Sequence, residues 1–392
     1  MDLETKGISV LFVTLHYLDG VGGGVFASRA YINAFTEICK ERNVVTLLYP
    51  ASETHGIDGI DDRVKAIPVY DNASRLKKGL NLLQGKVHRN FDEFRELLQA
   101  QHFDLVVFDN SRVSFRMIDL AHQYGAKVIT IHHNCELEYN RDNLSGILKP
   151  IMLHWTKRYE EEALKKSDLN LTLTPEDRDL FLQRYDLPSN ISDRIKVCGV
   201  FESKESELSP IKREIDKLST FVITGNLGAR QSNLSILKWI NTYYPILKIN
   251  FPKTKLIIAG KNPSPELFEL CQKSGIELIP SPESMQPILN QADCYICPTE
   301  LGGGLKLRIM DGLKNGLPVI THKVSARGYH DFLANNIVQS YSNAEEFSKI
   351  CKSFSGNEYN RKNIQQKYHA IFSFSTGVSR LSKICSSLLK RT

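Results

Sequence analysis

Residues 298–329 read PTELGGGLKLRIMDGLKNGLPVITHKVSARGY. Gly302, Gly303 and Gly304 follow the apolar run Cys294–Cys297, and a helical pattern opens near Lys306. Three glycines remove every Cβ where the chain turns from strand to helix, so the backbone can approach a ligand closely. The start of a helix adds partial positive charge. Lys306 and Arg308 add two formal charges. The combination suits a diphosphate cradled by the backbone of Gly303, Gly304 and Leu305. Asp311 lies one turn deeper, at a distance suited to a ribose hydroxyl. The plainer reading is a glycine turn followed by solvated cations.

Outward from this segment, short apolar runs recur between turn residues. In the second half they cover 220–224, 255–259, 277–279, Cys294–Cys297 and 318–321, with helical patterns at 232–244 and 265–273. The first half has runs at 8–14, 44–49, 105–108, 127–131 and 169–173, with helical patterns at 27–40, 90–101 and 115–124. Continuous rather than alternating apolar strands belong to parallel sheets covered on both faces. The predicted class is therefore α/β, with two Rossmann-like doubly wound domains in tandem, residues 1–200 and 201–375. The crossover falls near 199–215, inside the charged run FESKESELSPIKREIDKL at 201–218. Ligands of such sheets bind beyond the carboxyl ends of the strands, so the expected site is a central cleft that both domains face.

Composition agrees with a globular protein. The chain has 392 residues, 42% hydrophobic and 24% charged, with formal net charge +6. That excess is too small to argue for nucleic acid and suits anionic phosphates or an anionic membrane surface. Of eight cysteines only Cys294 and Cys297 are close, and they sit in a strand-like run, so buried thiols in a reducing compartment are expected. The first residues lack the pattern of a secretory leader, and no run of about 20 apolar residues occurs. The expected location is cytoplasmic.

Several loops of the first half carry chemistry. Leu15–Val25 (LHYLDGVGGGV) is glycine-rich, but no acidic ribose ligand follows on the second strand as a dinucleotide fingerprint requires. Another strand runs into Thr130-Ile131-His132-His133-Asn134-Cys135-Glu136. Asp109 ends a further strand toward the expected cleft. His132, His133, Cys135 and Glu136 share one loop and lack the helical His pair of a zinc protease, so no metal site is expected. Asp177-Arg178-Asp179 has the D-x-D pattern of metal-dependent transferases, but it falls in a helix with the carboxylates on different faces. Thr174 with Asp177 reads as a helix cap.

Taken together, 298–329 resembles the donor-binding motif of GT-B fold glycosyltransferases of the retaining group-1, family 4-like class. Asp311-Gly312-Leu313-Lys314-Asn315-Gly316-Leu317-Pro318-Val319-Ile320 follows its acidic residue and Gly-x-Pro-Val-Ile ending. The class often has a second glutamate upstream, with seven residues between the two. Here that position is Gly303, and Glu300 stands three residues too early. The resemblance extends to Thr224–Asn233 with Arg230, to Ile257–Pro263 with Lys261, and to 279–285 where the family cradles the base.

The resemblance implies that Gly22, Gly23 and Gly24 lie against donor phosphates and acceptor. It places a histidine near the donor sugar: His133 in the His-Asn-x-Glu register, with His132 second. It also implies that a helix at about 375–392 packs back on the first domain. The implied catalytic set is His133, His132, Asp109, Lys306 and Arg308, without a metal or other cofactor. The implied partners are a nucleotide sugar, UDP-linked before others, and a glycan or polyprenyl-linked acceptor at the inner face of the membrane. The basic, partly apolar stretch 71–89, with Arg75, Lys77, Lys78, Lys86, His88 and Arg89, suits such a surface. Two other classes share these motifs: a sugar-nucleotide epimerase of the same fold, and a non-catalytic nucleotide-sugar-binding partner subunit.

Overall fold

The computed structural model describes residues 8–20, 22–41, 44–70, 74–83, 91–354, 358–386 and 388. The chain divides into two compact units, Met1–Glu205 with Phe372–Thr392, and Ser206–Ile371.

Unit 1 holds a seven-stranded parallel sheet among its described residues. Its strands are β1 (Val10–Thr14), β2 (Val45–Ala51), β3 (Lys65–Tyr70), β4 (Leu105–Asp109), β5 (Lys127–His132), β6 (Leu169–Thr172) and β7 (Ile195–Val197). Their order is β3-β2-β1-β4-β5-β6-β7. The central strands β1, β2, β4 and β6 are wholly buried, as their unbroken apolar runs require. β3 was not legible as a strand: it is largely exposed and carries Pro68, a combination confined to sheet edges. The helix Gly23–Cys39 follows β1 and buries one long face, with Phe35 against Phe12.

The C-terminal helix Phe374–Cys385 belongs to this unit. Phe201 packs where a side chain at Gly377 would stand, and Arg380 Nη1 donates to Cys198 O at 2.8 Å. The first part of the charged run 201–218 is therefore not simply a solvated linker. Phe201 is fully buried, and Asn33 Nδ2 donates to Ser203 O at 2.8 Å.

Unit 2 holds a six-stranded parallel sheet among its described residues: β8 (Thr220–Asn226), β9 (Lys255–Lys261), β10 (Glu277–Pro280), β11 (Cys294–Cys297), β12 (Val319–His322) and β13 (Val338–Tyr341). The order is β10-β9-β8-β11-β12-β13. β11 is fully buried, cysteines included. Among the described residues no helix is long and apolar enough to cross a membrane. Of the basic stretch 71–89, the helix Arg75–Leu83 is described. Residues 71–73 and 84–89, with Lys86, His88 and Arg89, lie outside the described residues.

Candidate functional site

Each sheet has one place where the strand order reverses, and there the loops diverge and leave a crevice beyond the carboxyl ends. In unit 1 it lies between β1 and β4, whose last residues, Thr14 and Asp109, are register partners. In unit 2 it lies between β8 and β11.

At the unit 1 crevice Asp109 is fully buried. Its carboxylate lies within hydrogen-bond distance of Thr14 Oγ1 (2.7 Å), Ser28 Oγ (2.5 Å) and His133 Nε2 (2.5 Å). Burial alone would raise its pKa, but the charge and bond of His133, with help from His16 and Ser28, hold it at about 2. Burial pulls His133 down, yet Asp109 outweighs it and lifts the imidazole above its ordinary pKa. The two therefore form a buried ion pair. His133 Nδ1 is buried with no hydrogen-bond partner among the described residues.

The loop that carries His133 is braced from below. Asp177 Oδ1 accepts from Cys135 N at 3.1 Å, and Glu160 Oε1 from Leu137 N at 3.3 Å. Tyr185 donates to Glu160 Oε2 at 2.5 Å. Burial pushes the Glu160 carboxyl up to about 7. Glu136 is also raised by burial and accepts from Asn110 Nδ2 at 3.0 Å. Asp177 is thus an internal strut, with Thr174 capping its helix, while Asp179 is exposed beside Arg178.

His132 leaves the candidate set. It ends β5 facing the interior, bonded to Asn170 Oδ1 at 2.9 Å and edge-on to Phe181. Burial lowers its pKa to about 4, so it is a neutral structural imidazole. Neighbouring residues at a strand end point to opposite sides, which separates it from His133.

His16 was not foreseen. Its ring lies 5.3 Å from that of His133, centroid to centroid, and directly over Gly24. A Cβ at Gly24 would stand 2.6 Å from His16 Cε1, so only glycine fits there. Gly22 caps the helix in extended conformation without a side-chain bond, and Gly23 is its first residue. Ring nitrogens of His16 and His133 and an Asp109 oxygen lie within 4.8 Å of one another.

At the unit 2 crevice the loops after β8 and β11 meet. Gly302 and Gly304 have φ of 81° and 70°, the left-handed region that favours glycine. The helix starts at Arg308, two residues later than the sequence pattern suggests. Lys306 precedes it, and its Nζ donates to Gly302 O (3.1 Å) and Gly303 O (2.8 Å). Tyr329 Oη donates to Lys306 O at 2.9 Å and pins the loop. Arg308 Nη2 donates to Ser232 Oγ at 2.8 Å. Its guanidinium fills the space beside Gly225, where a Cβ would come 3.0 Å from Cζ. Nη1 is buried without a hydrogen-bond partner among the described residues.

Asp311 is exposed one turn along the helix. Arg230 is exposed at the first position of its helix, and Lys261 is exposed at the end of β9. Leu227 N donates to Lys261 O at 2.8 Å, tying the two loops together. Glu300 is engaged elsewhere: both its oxygens accept from Lys238 Nζ at 2.8 Å.

Residues 219–353 match the profile of the family described as Glycosyl transferases group 1. No curated protein matches this sequence. Solved structures do match by fold. A glycosyltransferase from Rickettsia africae ESF-5 is 13% identical, covers 98% of this chain and 100% of its own, and superposes with TM-score 0.67. Anabaena Alr3699/HepE in complex with UDP is 12% identical over 97% and 100%, with TM-score 0.63. A variant of S. aureus TarM, in complex with Fondaparinux, alpha-GlcNAc-glycerol and UDP, is 11% identical over 98% and 100%, with TM-score 0.66. At such identities the likeness is one of fold, two parallel-sheet α/β units of GT-B type.

Proposed function

We propose that this chain, a glycosyltransferase of the group 1 class on the GT-B fold, moves a sugar from a nucleotide-diphosphate donor to a hydroxyl of a glycan or lipid-linked acceptor, with retention at the anomeric carbon. The observation that carries the reading is Arg308: a half-buried cation, placed between two glycine loops at the switch point of unit 2, with its buried Nη1 unpartnered among the described residues. A planar guanidinium so placed fits a phosphate oxygen.

In this reading Arg308 and the N–H groups of 303–305 hold the diphosphate, joined by Lys306 once it leaves its loop carbonyls. Arg230 and Lys261 lie at the rim, and Asp311 takes the ribose. When the anomeric C–O bond breaks, its electron pair goes to the diphosphate, and these fixed charges stabilise it as a metal ion otherwise would. Gly22–Gly24 admit the phosphate and acceptor closely. The His133 imidazolium offers Nδ1–H to the sugar. UDP is the proposed nucleotide, in keeping with its presence in the HepE and TarM structures.

The acceptor reading, synthesis of a cell-surface polysaccharide or glycoconjugate at the inner face of a membrane, draws on the helix Arg75–Leu83. Leu76, Leu80 and Leu83 are 83%, 59% and 55% exposed at i, i+4, i+7, with exposed Lys77 and Lys78 alongside. Thermal-shift screening with UDP, GDP, TDP and CMP sugars, in wild type and Arg308→Ala, tests the donor site. A shift by one nucleotide class that Arg308→Ala loses supports it; equal shifts in both proteins sink it. NMR of the product's anomeric configuration tests retention.

A further inference from the structure

The Asp109–His133 pair borders a second cluster in unit 1. Asp109 runs into the one-turn helix Ser111–Ser114; Arg112 lies in it and Arg116 just beyond, and both are exposed. Neither guanidinium is in an ion pair with any described residue. Their main chain is fixed. Asn110, at φ 113°, accepts from Arg112 N through Oδ1 at 2.8 Å, and Arg116, at φ 63°, donates its own N–H to Glu162 Oε1 at 2.7 Å. Positive φ in such residues is strained and persists only where the surroundings impose it. Beside the arginines lies an aromatic platform on the helix Lys149–Lys166. Trp155 stacks on Tyr159, centroids 6.3 Å apart and planes at 19°, and Phe115 packs edge-on to both at 6.1 and 4.8 Å. Phe115 and Tyr159 are buried, so Trp155 supplies the half-exposed face. Arg116 Cζ stands 5.1 Å from the Phe115 centroid, and the charges of both arginines act on the Tyr159 hydroxyl. Arg112 also acts on Glu136, which Asn110 Nδ2 holds and whose charge acts on His133. The cluster is therefore continuous with the Asp109–His133 crevice. Ile147 and Leu148, 93% and 44% exposed, precede the helix, and Leu148 caps it about 10 Å along the axis from Trp155.

We propose that this cluster is an acceptor subsite and that the acceptor is a lipid-linked phosphate or diphosphate, its phosphate on Arg112 and Arg116 and the start of its chain on Trp155, Leu148 and Ile147. This rests on the transferase reading above and chooses between the two acceptor classes left open there. A planar guanidinium bonds two phosphate oxygens at once, and two of them without ion pairs leave positive charge for a doubly charged anion. A neutral glycan would leave that charge unmatched. A free sugar phosphate would leave the apolar side chains at 147, 148 and 155 in water, where an exposed apolar patch marks a binding surface. The sugar carried by the phosphate then lies toward His133, with its hydroxyl at the crevice.

The test uses the full chain saturated with UDP, so that the donor site is occupied, and follows farnesyl diphosphate by calorimetry. Farnesol supplies the chain without the charge, and inorganic pyrophosphate the charge without the chain. Farnesyl diphosphate should bind at least about tenfold more tightly than either. The double variant Arg112→Gln, Arg116→Gln should weaken it about tenfold or more, and Ile147→Ser with Leu148→Ser about fivefold, while UDP affinity in both stays within about twofold and so shows that they fold. Farnesol bound as tightly as the diphosphate overturns the phosphate contact, and pyrophosphate bound as tightly overturns the lipid contact. No binding of farnesyl diphosphate, or undiminished binding in the arginine variant, overturns the proposal as a whole. Each of these leaves the transferase reading standing. A wild-type chain that binds no nucleotide removes that reading, and the proposal with it.

Discussion

His133 Nε2 lies 2.5 Å from Asp109 Oδ1, and both side chains are buried. An uncompensated charge in that place would cost several kcal/mol, so each partner holds the other ionised. Asp109→Asn should therefore drop the His133 pKa below 6.5, where the wild type titrates above it. Histidine NMR titration reads the difference directly. Transfer activity should fall about 100-fold or more, because the imidazolium at the sugar is lost.

Arg308→Lys should be nearly as damaging as Arg308→Ala. A lysine cannot bond Ser232 and a phosphate oxygen through one planar fork. Either change should weaken UDP binding by about 1.5–3 kcal/mol, roughly 10- to 150-fold, by calorimetry. Undiminished affinity in both variants would remove Arg308 from the donor site.

Glu160 gives a stability signature. Its carboxyl titrates near 7 in the folded chain and at 4.5 ordinarily, so the folded state binds the proton more tightly. The sign follows: stability from this group is greatest below pH 4.5 and is lost as pH rises to about 7. Glu160→Gln keeps an acceptor for Leu137 N and removes the titration. Its stability relative to wild type should rise across that window by up to about 3 kcal/mol, measured by denaturant unfolding at pH 5 and pH 8.

Glu300→Ala should change little. Its carboxylate pairs with Lys238, which is 54% exposed, and such pairs contribute at most about 1 kcal/mol. Donor KM within about threefold of wild type is expected. A loss of about 100-fold would show that Glu300 takes the place left open by Gly303.

The unfinished parts of the sequence reading have physical causes. β1, β2, β4 and β11 were legible because both their faces are buried and their composition says so. β3 and β13 were not, because edge strands mix exposed and buried positions. His133 was legible from its motif, but its separation from His132 depended on which ring meets Asn170. Asp177 looked like a local cap, and it is also the acceptor for Cys135 N, a partner 42 residues away.

By itself the sequence determined two parallel α/β sheets, the glycine loops, and the cations and carboxylate of 306–311, because periodicity, missing Cβ atoms and charge are local properties. Only the tertiary structure decided which of these meet. Strand order sets β1 beside β4, and so joins His16, Asp109 and His133 at three separate strand ends. It sets β8 beside β11, and so lays Arg308 against Gly225 and Ser232. Those neighbours are 76 to 95 residues apart where they touch through Ser232 or Thr14, and local spacing carries no signal of them.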